Sequence, residues 1–222
     1  MGTVKENLVV GVSGATGIYA GLRLITVLND YQRYQAHVVV SGGFKEVFEH
    51  ERTSDPYISS VCKKWGFFEH GGNLRVSEEA EAYHTLEHSM SNATLYDRHN
   101  QAQSICSGSF PTAGMVVLPC SMNTLSAIAN GRADTVLTRA ADVTLKERRK
   151  LVLCIRETPL SSIHIDNMKK VTDAGAIIMP VCLPMYALRL EVAAHEFVDK
   201  YVGRVLSLFN INTKYLHVWK GV

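Results

Sequence analysis

Arg156-Glu157 sets a carboxylate that can pass a proton directly beside a guanidinium that can hold an anion. Further cations lie upstream. Arg139 and Lys146 are seven residues apart (139 to 146), which on a helix is one face, two turns apart. Two cations from one helix and a third at a strand end can converge on a phosphate, which guanidinium binds bidentately. Arg–Glu sequences also build salt-bridge networks, and spacing alone leaves both readings open.

A second set of polar groups surrounds glycines. Gly11-Val12-Ser13-Gly14-Ala15-Thr16-Gly17 has the form of a strand-to-helix turn, in which glycine permits close backbone approach and a helix N-terminus offers amides to a phosphate. Ser13 and Thr16 add hydroxyls. Many α/β proteins carry glycine at this turn for packing alone. A dinucleotide fold normally ends its second strand with an acidic residue for the adenosine ribose. Here that strand runs into Val40-Ser41-Gly42-Gly43, with no carboxylate. A mononucleotide such as FMN needs none. Pro119-Cys120-Ser121-Met122-Asn123-Thr124 places further hydroxyls after an apolar run, either as ligand donors or as a helix cap by Ser121.

The elements that must position these groups alternate. Strands are expected at Leu8–Val12, His37–Val40, Met115–Leu118, Leu151–Ile155 and Ala176–Met179. Helices are expected through Leu22–Leu28, from about Phe44 to His50, after Ser121 through Leu125 and Ile128, over Ala140–Arg149 and Asp166–Asp173, and at about 191–209. Continuous apolar strands between helices imply a Rossmann-like or flavodoxin-like doubly wound parallel sheet, here in a single domain over residues 1–222. The stretch at about 71–104 breaks the rhythm. It reads as an insertion: a lid, an oligomer contact or a surface excursion, with a weak helical pattern over Ser77–His88 and no strong zinc spacing.

Composition narrows the class. With 46% apolar residues and 20% charged, the 222-residue chain is an ordinary globular one. A net charge of +2 gives no argument for nucleic acid or a membrane surface as partner. No apolar run approaches the roughly 20 residues of a membrane helix, and the N-terminus runs straight into a strand pattern without a signal-peptide core. Five cysteines without a CxxC pair suit a reducing, cytoplasmic setting.

Together SGATG, SGSFPTAGMVVLPCSMNTLSAIANG, ADTVLTRAADVTLKERRKLVLCIRETPLSSIHIDNM and GAIIMP resemble the UbiX-type flavin prenyltransferases over nearly the whole chain except about residues 71–104. The resemblance implies FMN and dimethylallyl monophosphate as ligands, prenylation at flavin N5 with closure onto C6, no metal, a homo-dodecamer, and delivery of the product to a UbiD-type decarboxylase. By matching motif it implies FMN contacts from Ser13, Gly14, Ala15, Thr16, Ser41, Ser121, Met122, Thr124 and Arg139. Lys146, Arg156, Tyr186 and Arg204 would hold the prenyl phosphate, with Tyr186 and Arg204 serving a neighbour's flavin. Glu157 would move protons, and Glu51 fits a second carboxylate near the flavin. Two other activities fit the flavin-binding features: an FMN-dependent cysteine-type decarboxylase, and a non-catalytic flavin-binding accessory subunit of an aromatic-acid decarboxylase.

Overall fold

The apolar runs become the strands of one parallel sheet. The computed structural model describes residues 5–31, 33–54, 93–182 and 194–218. Its strands are β1 (Glu6–Val12), β2 (Tyr34–Val40), β3 (Thr94–Tyr96), β4 (Gly114–Cys120), β5 (Lys150–Ile155) and β6 (Ile177–Ile178), in the order β3-β2-β1-β4-β5-β6. All pairings are parallel. The order reverses direction between β1 and β4. That is where a doubly wound sheet opens a crevice beyond the carboxyl ends of its strands.

Alternate residues of each strand feed two separate cores. Leu8, Val10, Val12, Val38, Val116, Leu118, Val152 and Cys154 face one layer. Val9, Val39, Met115, Val117, Leu151 and Leu153 face the other. With both faces covered, every second position is as apolar as the first, which produces unbroken hydrophobic runs. Helices α1 (Ile18–Asn29), α2 (Phe44–Ser54) and the last helix, α6 (Ala194–Ser207), belong to the first layer. Helices α3 (Met122–Ala129), α4 (Val136–Lys146) and α5 (Ser162–Asp173) cover the second. Each fully buried Leu, Ile or Val contributes about 1.5–3 kcal/mol, so the paired layers dominate the stability of the fold.

Caps set the helix limits. Thr135 and Thr138 form a capping box that starts α4 at Val136, ahead of the expected 140. Arg148, at φ 56, breaks the chain away after Lys146. Ser161 and His164 form the equivalent box at α5, which starts at Ser162 rather than Asp166. The stretch expected to be an insertion at about 71–104 departs more from the reading. Its Thr94–Tyr96 portion is the edge strand of the sheet, paired with His37–Val39. The pattern at 77–88 and Tyr186 both lie outside the described residues.

The two edges of the sheet are distinct. At the amino edge Gly114 pairs with Lys150. Lys150 Nζ donates to the Leu208 carbonyl and lies 5.6 Å from the centre of the Phe209 ring, so the end of α6 stands at that edge. At the carboxyl edge the chain leaves the strands into the polar loops.

Candidate functional site

Four strands release a polar loop at the carboxyl edge: β1 into Ser13-Gly14, β2 into Ser41-Gly42-Gly43, β4 into Ser121 and β5 into Arg156-Glu157. Ser13, fully buried, stitches two of them. Its hydroxyl donates to the Pro119 carbonyl (2.9 Å) and accepts the Ser121 amide (2.7 Å). Ser41 Oγ accepts the Gly14 amide at 2.9 Å. Gly14 must be glycine, because a Cβ there would overlap the Gly43 backbone. Ser121 acts as the N-cap: its hydroxyl accepts from the Thr124 amide (3.3 Å) and donates to Thr124 Oγ1 (3.0 Å). The expected hydroxyls thus gather at one crevice, and most of them build its floor.

The start of α1 differs from its expected role. Gly17, at φ 98, turns the chain into the helix. The Gly17 amide donates to Glu51 Oε1 at 2.5 Å, and the Ile18 amide also bonds this carboxylate. Glu51 is 7% exposed. Burial pushes its carboxyl proton to higher pH, while the two amides and the positive charges of Arg156 and His50 pull the other way. A carboxylate therefore occupies the α1 terminus where the glycine loop suggested a phosphate. The first-turn amides of α3, at Met122 and Asn123, have no intrahelical acceptor by helix geometry and face the same crevice edge. They are better placed for an anion.

The cations do not gather as one set. Arg139 lies in the first turns of α4 and pairs with Asp142 (3.0 Å). Arg156 and Glu157 are exposed at the carboxyl edge, where Glu157 accepts the Thr158 amide at 3.0 Å. Lys146 ends α4, at the opposite edge, where it pairs with Glu147 against Gly108. Seven residues of helix carry the chain about 10 Å, and Lys146 is engaged there with Glu147 while Arg139 is engaged with Asp142. Arg204, exposed in the last turn of α6, also belongs to the amino edge, where it donates to Ser207 at 3.2 Å.

Two groups without an expected role tie the sheet to the segment that precedes β4. His37 is 7% exposed; its Nε2 bonds Asn7 Oδ1 (3.0 Å) and its Nδ1 bonds Tyr96 Oη (2.8 Å). Tyr96 continues to Ser104 (2.8 Å), Asn7 donates to the Pro111 carbonyl (2.8 Å), and Phe110 packs edge-on against the imidazole. Because Asn7 donates through Nδ2, its Oδ1 accepts, which assigns the proton to His37 Nε2. Burial lowers the pKa of His37. Arg149, just ahead of β5 at the amino edge, holds the same segment by donating to the Phe110 and Gly108 carbonyls at 2.8 and 2.6 Å. Among the described residues, no three His, Cys, Asp or Glu side chains are placed to hold a metal.

The donor set fits a mononucleotide. It offers amides at a helix start, glycines beside which Gly42 leaves open space, and guanidinium groups at the rim, with no carboxylate at the end of β2. Comparison with known proteins agrees. Residues 2–206 match the Flavoprotein family model. The flavin prenyltransferase UbiX of Neisseria meningitidis serogroup B is 38% identical over 217 residues, covering 98% of both chains. The crystal structure of AnUbiX (PadA1) in complex with FMN and dimethylallyl pyrophosphate superposes with a TM-score of 0.77 at 32% identity, covering 98% of this chain and 99% of that one. A dodecameric FMN-dependent UbiX-like decarboxylase from Escherichia coli O157:H7 follows at 0.75 and 34%, covering 97% and 100%.

Proposed function

The chain belongs to the flavoprotein family and, within it, to the UbiX flavin prenyltransferases, and on that footing we propose how its residues share the prenylation of FMN. Flavin N5 and C6 are the acceptor atoms and dimethylallyl monophosphate is the donor. The observation that carries the reading is the crevice between β1 and β4, floored by Ser13, Ser41 and Ser121 and rimmed by Arg139, Arg156 and Glu157.

When bound, FMN in its reduced form supplies the nucleophilic N5 and C6. Gly14, Ala15, Thr16, Ser41, Met122 and Thr124 shape its seat, and Arg139 meets its anionic end. Arg156 holds the donor phosphate, so that the electron pair of the breaking carbon–oxygen bond leaves on an already neutralised group. Glu157, exposed next to that arginine, takes and returns protons as the carbon–carbon bond to flavin C6 closes. Glu51 holds the α1 terminus at the crevice, accepting the Gly17 amide.

Lys146 and Arg204 stand at the other edge of the sheet, so they reach a donor phosphate only in a neighbouring copy. A homo-oligomer, with a dodecamer as its full form, supplies that neighbour, and Tyr186 is assigned to the same shared contact. The product passes to a UbiD-type decarboxylase. Among the described residues all four cysteines are free, and no helix is long and apolar enough to cross a membrane, which supports a cytoplasmic setting.

The test is mass spectrometry of the flavin after incubating the protein with reduced FMN and dimethylallyl monophosphate. A flavin heavier by one prenyl group is expected; unchanged FMN overturns the reading.

A further inference from the structure

We propose that Arg98 is a phosphate-binding residue at the rim of the flavin crevice, on its β2–β3 side. The proposal rests on the flavin reading above and adds a residue to it.

Arg98 follows β3, and its carbonyl accepts the Val136 amide at 3.2 Å, which fixes it to the first turn of α4. The loop around it is tied by its own side chains. Asp97 accepts the His99 amide (3.0 Å), Asn100 accepts the Ala102 amide (3.1 Å), and Gln103 donates to the Asp97 carbonyl (3.1 Å). Asp97 is thereby turned onto the backbone, and Asp134 pairs with Arg132 at 3.4 Å. Among the described residues, Arg98 has no carboxylate partner. Its Nε donates to His99 Nε2 at 2.9 Å, and Nη1 makes a long contact with the Gly42 carbonyl at 3.5 Å.

A half-buried guanidinium with two neutral partners keeps donors of its planar fork unused, and that fork matches phosphoryl oxygens. Space exists to receive them, since a Cβ on Gly42 would meet nothing within 4 Å. Arg139 stands one turn along the same helix, so two guanidinium groups flank the start of α4. The phosphoryl group belongs either to FMN or to the prenyl donor.

The experiment titrates wild type, Arg98→Ala and Arg98→Lys with FMN and with riboflavin, which lacks the phosphate, and measures KM for dimethylallyl monophosphate. Arg98→Ala should weaken FMN roughly tenfold or more while leaving riboflavin unchanged, with Arg98→Lys between them. A tenfold rise in donor KM with FMN affinity intact also supports the assignment and names the donor as the source. Equal losses for FMN and riboflavin, or no change in any of the three, overturn it. Loss of FMN binding in Arg139→Ala, with both FMN affinity and donor KM unchanged in Arg98→Ala, removes Arg98 alone; wild type that binds no FMN removes the flavin reading itself.

Discussion

The Glu51 carboxylate accepts the Gly17 amide at 2.5 Å and so closes the N-terminus of α1 from inside the protein. An anionic side chain there complements the positive end of the helix dipole, at the expense of burying its own charge.

Glu51→Gln tests that balance. Burial raises the carboxyl pKa above its ordinary 4.5, so the folded chain holds this proton more tightly than the unfolded one. The group's contribution is therefore greatest below the unfolded value and declines as pH rises through the folded one. Chemical denaturation from pH 4.5 to 8 should show wild type losing stability relative to Glu51→Gln across that window. Parallel curves would contradict it.

His37 predicts the opposite slope. Its pKa is lowered from 6.5 by burial, so its stabilising contribution is complete above that value and is lost as pH falls through the folded one. His37→Asn should be less stable at pH 8 by about 1–3 kcal/mol, because Asn7 and Tyr96 lose a buried partner. It should also lack the extra acid-side loss that wild type shows below about pH 6.5. Thermal melts at pH 5, 6, 7 and 8 provide the comparison, and an identical acid-side loss in both proteins would refute it.

Separation of Lys146 from Glu157 predicts complementation. Lys146→Ala and Glu157→Gln chains should each be inactive alone. Co-expressed in equal amounts, they should regain about a quarter of wild-type prenylation, the share of sites with both residues intact when neighbours assort at random. Activity no greater than the sum of the two separate variants would mean that each chain works by itself.

The doubly wound sheet is legible in the sequence because strands covered on both faces, such as Leu8–Val12 and Leu151–Ile155, cannot hide their hydrophobicity. The edge strand is not. Thr94–Tyr96 is three residues long and partly exposed, so it carries too little apolar signal to stand out. The hydroxyl cluster could be located but not its duties: Ser121 reads as cap or ligand donor, and only its bonds to Thr124 show the cap. Spacing placed Arg139 and Lys146 on one helical face, yet it carries no information about how far along the strands that helix runs. Glu51 escapes local reading because its partner lies 34 residues away.

Ser13 has partners more distant still, at separations of 106 and 108 residues. As the chain is synthesised, Ser13 emerges long before Pro119 and Ser121 exist to meet it. The crevice floor therefore cannot close until the chain has been made through Ser121. It closes only when the half of the sheet built on β1 docks against the half built on β4, and flavin has no seat before that event.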